Sequence, residues 1–254
     1  MSLSQVLRHP ALWKASEHTK VRAAVSTGYQ RLDHHLHDGG WPKGALTEIL
    51  LPHHGVGELR LLTPLLKTYS QKSGFILFIN PPLIPYVDAL NSQGIVCHQL
   101  LLLHTSSTQD AVWAAQQALT SGSCSVVMIW SDDPLAVLSL RKLSLAATQG
   151  SNWAFLLRPQ SYVSSPSMAS LRLTLTPLKN GCSQIHILKQ PGGWSDQRFS
   201  LKLLTEQQYW TSAPGSQWPV PECNKRQTVT ASYKQYEAPL SESDHLPQTE
   251  LSTH

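Results

Sequence analysis

Glu48-Ile-Leu-Leu-Pro-His-His-Gly-Val-Gly-Glu-Leu-Arg-Leu-Leu62 decides how the rest of the chain is read. An apolar run, a turn with two glycines and a renewed apolar run predict a strand, a tight turn and a helix, the outline of a phosphate-binding loop. In a working loop, G-x-x-x-x-G-K-[ST], the first glycine lets the backbone curl and the second opens the helix. The lysine meets the β/γ-phosphates and the hydroxyl binds Mg²⁺. With Gly57 as the second glycine, Pro52 stands at the first, Glu58 at the lysine and Leu59 at the hydroxyl position, so only the turn through Gly55 and Gly57 survives. Glu58 offers a triphosphate the wrong sign: a unit charge pair at ~4 Å is worth roughly 1 kcal/mol in water and about 4 near a protein surface. The same carboxylate stabilises a first helical turn by ~0.3–1 kcal/mol, and it occupies the charge niche that a phosphate needs.

Around this segment, Ser26-Thr-Gly-Tyr-Gln-Arg-Leu-Asp33, Gly39-Gly-Trp-Pro-Lys-Gly44 and Leu46-Thr-Glu-Ile49 resemble the entry to the RecA core in order and spacing. Phe78-Ile-Asn-Pro-Pro82 and Val126-Val-Met-Ile-Trp130 are strand runs like those that end, in RecA-type ATPases, on the catalytic acid and the metal-organising Asp, and Ala169 to Leu175 looks like a late core strand. On that resemblance Pro82 replaces the acid and Trp130 the Asp. Losing a general base alone costs about 10²–10⁴ in rate. The expectation is a fold kept from an ATPase without the hydrolysis, binding no cofactor. Asp132-Asp-Pro134 reads as a turn and helix N-cap rather than as a substitute metal site.

The chain alternates strand and helix patterns. Strands are expected at 45–51, 74–80, 97–103, 124–130 and 152–158, and helices at 57–72, 83–93, 108–121 and 134–148. Runs such as Phe75-Ile-Leu-Phe-Ile79 are apolar on both sides, as strands of a parallel sheet covered on both faces must be. Runs at 170–176, 183–189 and 198–204 have no helices between them and read as an antiparallel edge extension. The fold class is therefore α/β: a RecA-like P-loop NTPase core with a mostly parallel sheet. Residues 1–22 read as an amphipathic element with Val6, Leu7, Leu12 and Trp13 available to dock, 23–205 as the core, and 206–254 as a polar tail expected to be disordered.

Composition narrows the function. Of 254 residues, 14% are charged and the formal net charge is +4, too mild for the concentrated basic stripe of a nucleic-acid binder. No run of about 20 apolar residues spans a membrane, and the N-terminus lacks a signal-peptide core, so the expected location is cytoplasmic. Cys97, Cys124, Cys182 and Cys223 form no C-x-x-C pair, which favours reduced thiols over zinc. His34, His35, His37, His53 and His54 lack the spacing of a ligand set, and no metal is expected. His104 beside Ser106 and Ser107 has no elbow or orienting Asp to make it a nucleophile pair. The segments where RecA carries its two DNA loops are short here, Ser131 to Pro134 and Pro159 to Pro166, and the second has no Lys or Arg. Arg158, Arg172 and Lys189 read as solvated strand-end charges. Among the aromatics, Trp113, Trp130 and Trp153 lie in periodic segments and are expected in the core. Trp13, Trp41, Tyr209, Trp210 and Trp218 are the candidate partner contacts.

Gly39-Gly-Trp-Pro-Lys-Gly44, Gly55 to Leu62, Pro81-Pro-Leu-Ile-Pro-Tyr86, Ala111-Val-Trp113, Leu140-Arg-Lys-Leu143 and Phe155-Leu-Leu-Arg-Pro159 together resemble ImuA, the RecA-like accessory family of translesion synthesis, over about residues 5–205. The resemblance implies a non-catalytic adaptor in SOS-induced mutagenesis. Its implied partners are an ImuB-like inactive Y-family protein, RecA and an error-prone replicative-type polymerase, with DNA binding weak or indirect. SulA, the SOS division inhibitor that binds FtsZ, belongs to the same extended group and is the alternative.

Overall fold

The computed structural model describes residues 23–178, 182–193 and 195–203. β1 (Ala24–Val25) and β2 (Trp41–Pro42) form a small antiparallel ribbon around α1 (Gln30–His35). The main sheet follows in sequence as β3 (Ala45–Leu51), α2 (Glu58–Ser70), β4 (Phe75–Ile79), α3 (Val87–Ser92), β5 (Leu100–Leu103), α4 (Thr108–Ser121), β6 (Cys124–Trp130), α5 (Val137–Gly150), β7 (Trp153–Pro159), β8 (Leu171–Pro177), β9 (Cys182–Lys189) and β10 (Gln197–Lys202). Its eight strands lie in the order β10-β9-β8-β3-β7-β6-β4-β5. The pairs from β8 to β5 are parallel, and β9 and β10 add on antiparallel. The expected edge extension is present, but it begins one strand later than expected because β8 runs parallel to β3.

Each face of the sheet has its own core, which explains strands with no polar side. Ile49, Leu51, Phe78, Met128 and Phe155 pack on one face beneath Leu61, Leu62, Leu65 and Leu66 of α2. Leu46, Leu77, Ile79, Val127 and Leu156 pack on the other beneath Ala111, Ala115 and Leu119 of α4 and Leu140, Leu143 and Ala147 of α5. Burial of each such side chain is worth roughly 1.5–3 kcal/mol. No described helix is long and apolar enough to cross a membrane.

Two expected helices start late. The pattern from 83 becomes α3 only at Val87, because Pro81, Pro82 and Pro85 hold the chain extended. The helix expected from 134 begins at Val137 with Ala136 as its cap, so the Asp132-Asp133 N-cap reading is corrected. Those aspartates serve the loops instead: Thr108 donates to Asp133 at 2.6 Å, and Tyr162 donates to the Asp132 carbonyl at 2.9 Å.

Candidate functional site

The glycine turn joins β3 to α2, with Gly55 at φ 79° and Gly57 at φ 112°, both in the region that disfavours side chains. Their N–H groups converge on one acceptor, the carboxylate of Glu58: Gly55 N–H donates to Oε1 at 2.9 Å and Gly57 N–H to Oε2 at 3.1 Å. Glu58 is buried although it opens α2. The turn thus holds an anion, and the anion belongs to the chain. Pro52 leads into the turn and is exposed, while Leu59 packs partly into the core below α2.

Pro82 and Trp130 stand at the same cavity. With His54, Asn80, Thr108, Ser131, Asp132 and Asp133 they line a cavity of about 200 Å³ at the carboxyl ends of β4 and β6. Trp130 is buried edge-on against Phe78 at 5.3 Å, so apolar packing occupies the end of β6. His54 Nε2 lies 3.0 Å from Asp132, which ties the glycine turn to the loop after β6. Among the described residues, no group of three His, Cys, Asp or Glu is placed to hold a metal.

Several expected surface groups lie inside. Arg158 and Arg172 are buried, not solvated: Arg158 reaches Glu48 at 3.1 Å and Arg172 reaches it at 2.6 Å. Glu48 lies in register with Arg172 on β8, and Arg158 is two residues beyond its partner on β7. Arg172 also donates to the Val163 and Tyr162 carbonyls, and Arg158 lies over the Tyr162 ring at 3.9 Å, fixing the short helical turn Gln160–Ser164. Lys189 donates to the Ser167 carbonyl at 3.2 Å. The clue in the sequence was Glu48 itself, a carboxylate in an otherwise apolar strand, which demands a buried partner.

Trp41 is 0% exposed and packs edge-on against Phe155, so its candidacy as a partner contact is corrected. It opens β2, just after the Gly39-Gly40 bend that follows α1. Trp113, expected in the core, is instead 63% exposed on α4, whose buried side is Ala111, Val112, Ala115 and Leu119. Trp130 and Trp153 are buried as expected. Trp13, Tyr209, Trp210 and Trp218 lie outside the described residues. Cys124 is buried and Cys97 and Cys182 are half-buried, all three free; burial pushes the Cys97 and Cys124 thiols up.

The surface that sequence reasoning missed is at the β5 end. Leu83, Ile84 and Tyr86 are 73%, 80% and 71% exposed, and Val87, Leu101 and Leu102 are exposed as well, the two leucines on opposite faces of β5. From Ser73 to Gln109 the only Asp, Glu, Lys or Arg is Asp88. Among the described residues β5 is the last strand of the sheet, and no other described strand pairs with its outer N–H and C=O groups. An uncharged apolar segment beside an open strand edge is the hallmark of a binding surface.

Comparison with known proteins identifies the family. A family profile described as Cell division inhibitor SulA matches residues 44–154. The chain is 33% identical over 100 residues to the protein of that name from Edwardsiella piscicida, covering 39% of this chain and 59% of the relative. It is 30% identical over 121 residues to the one from Serratia proteamaculans (strain 568), covering 48% and 71%, and 27% identical over 138 residues to that of Yersinia pestis (strain Pestoides F), covering 54% and 82%. Thus the chain spans less than two thirds of the Edwardsiella relative and more of the other two. These matches overturn the reading as an ImuA-like adaptor of translesion synthesis and favour the alternative.

Proposed function

The chain belongs to the SulA family, and from that premise we propose that it is an SOS-induced division inhibitor that acts by binding FtsZ, not by catalysis. The exposed apolar surface formed by Leu83 to Val87 and the outer edge of β5 carries the proposal. Standard protein interfaces need about 1,200–2,000 Å² with a few apolar or aromatic anchors at their centre. Ile84 and Tyr86, with Leu83 beside Ile84 in the chain, have that character.

We further infer that the core descends from a RecA-type P-loop ATPase that no longer holds or cleaves ATP. Supporting this, the glycine turn follows a central parallel strand and opens a helix, as a phosphate loop does, yet its two convergent N–H groups are engaged by Glu58. DNA has no part in the proposal, since Arg158 and Arg172 are consumed inside the fold. An ImuB-like protein, RecA and a polymerase belonged to the corrected reading and have no part in it either.

Expression of the chain in a rod-shaped bacterium is expected to give filaments, and the purified protein to bind FtsZ and suppress its polymerisation in a sedimentation assay. Ile84→Asp, at a solvent-facing position, should abolish both effects while leaving the melting temperature within about 2 °C, as surface substitutions do. Normal division and unperturbed FtsZ polymers with the wild-type chain would refute the proposal.

A further inference from the structure

The segment that forms the exposed surface leaves β4 through an unusual residue. Asn80 has φ 51°, one of three described non-glycine residues with positive φ, the others being Ser151 and Asp196. This left-handed turn sends Pro81 into the protein and leaves Pro82, Leu83, Ile84, Tyr86 and Val87 outside. Left-handed backbone is costly for most side chains, and Asn is among the few that tolerate it. A strained residue at the root of a functional segment is a reason to ask what holds it.

Asn80 is held on three sides. Its backbone N–H donates to the Leu103 carbonyl at 2.8 Å, its Nδ2 donates to Thr105 Oγ1 at 3.0 Å, and its Oδ1 accepts the Thr105 N–H at 2.8 Å. The Thr105 hydroxyl passes its own proton on to the Ser107 carbonyl at 3.0 Å. Ser107 in turn caps α4, accepting from the Asp110 N–H. One carboxamide therefore fastens the end of β4 to the end of β5 and to the start of α4. The Thr105 hydroxyl also lies 3.3 Å from Oδ1, so only a side chain with both a donor and an acceptor frees that hydroxyl to donate to Ser107; an aspartate, offering acceptors alone, would take the hydroxyl proton itself.

We propose that Asn80 and Thr105 form a clasp that positions the Pro81–Val87 segment beside the β5 edge, so that the two halves of the exposed surface present themselves as one. The clasp rests on the division-inhibitor reading for its purpose but not for its existence. Asn80 is a positioning residue: it lies behind the segment and is itself only half exposed.

The test uses the full chain with Asn80→Gly, which permits the same φ without the amide, and Thr105→Val, which keeps the shape without the hydroxyl. Native-state chymotrypsin cleavage after Leu83 and Tyr86 is expected to rise about tenfold in each variant. The double variant should be no worse than either single one, because both break the same ring. Affinity for FtsZ should fall about tenfold, with circular dichroism unchanged. Should Asn80→Gly fail to fold, Asn80→Asp, which loses only the donor, takes its place. Cleavage at the wild-type rate in these variants would overturn the clasp. Faster cleavage with undiminished FtsZ affinity would overturn its role in positioning. Since proteolysis needs no partner, failure of the wild-type chain to bind FtsZ would count against the proposed function and leave the clasp to be judged on cleavage.

Discussion

Replacing Glu58 by alanine should turn a closed loop into an open anion site. The wild-type carboxylate accepts from Gly55 and Gly57 at 2.9 and 3.1 Å and sits at the positive end of a 13-residue helix. Charge-assisted hydrogen bonds contribute about 1.5–3 kcal/mol each when buried, and a carboxylate in a first turn about 0.3–1 more. Gly55 is exposed and Gly57 half-buried, so water reclaims part of what is lost. The expected destabilisation is therefore on the order of 1–3 kcal/mol rather than the full sum. The vacated N–H groups should then accept phosphate. If the opened turn binds it with a dissociation constant of about 10 mM, 100 mM phosphate stabilises the variant by roughly 1.4 kcal/mol. For a domain of this size that is about 3–6 °C in melting temperature. Phosphate also stabilises proteins non-specifically, so the decisive quantity is the excess shift of Glu58→Ala over wild type, against chloride at matched ionic strength. Equal shifts in both proteins would refute the idea that Glu58 occupies an anion nest.

Other consequences are as direct. Glu48→Ala leaves two buried guanidinium groups without their carboxylate and should cost about 3–5 kcal/mol by urea unfolding, whereas replacing Glu48, Arg158 and Arg172 together by Leu or Met should be neutral or stabilising; a loss under about 1 kcal/mol in the single variant would mean that water reaches the cluster. Trp41→Ala should cost about 3–5 kcal/mol and Trp113→Ala within roughly 0.5, since one is enclosed and the other exposed. Equal costs would put the two tryptophans in the wrong places. Burial pushes the Tyr29 phenol up to about 12, and the phenol donates to the Arg60 carbonyl. A folded-state value above the unfolded one favours the protonated form, so this contribution is complete below about pH 10 and lost as the pH rises towards 12. Tyr29→Phe should flatten the alkaline fall in stability, and an unchanged slope would remove Tyr29 as its cause.

Much of the fold was legible because it rests on local rules. The helix at 108–121 is bounded by Ser107, which caps it, and Gly122 in left-handed conformation, both visible in the sequence. The strands at 45–51 and 124–130 were visible as apolar runs too short for helices. What could not be read was anything that depends on which strands are neighbours. Glu48 finds Arg172 and Arg158 only because β3 lies between β8 and β7, an order set by long-range packing. Without it, two strand-end arginines look solvated. Trp113 looked like core because one turn of an amphipathic helix does not say how far its apolar stripe extends before it leaves the sheet.

The same dependence on neighbours explains why the exposed apolar surface was missed in a sequence whose glycine turn stood out. An incompatible residue in a motif, such as Glu58 in place of lysine, announces itself at one position. A docking surface is a property of an edge, and edges exist only once the strands are ordered. Here the two edges differ in kind. β10 carries Arg198 and Lys202 facing solvent, the usual means of discouraging strand addition. β5 has four consecutive leucines, no charge, and an exposed apolar segment clasped alongside it. Among the described residues, then, one end of the sheet is protected and the other is not, the asymmetry expected if that end is covered by a partner. In a chain whose glycine turn is already filled by its own carboxylate, that end is where function has most reason to reside.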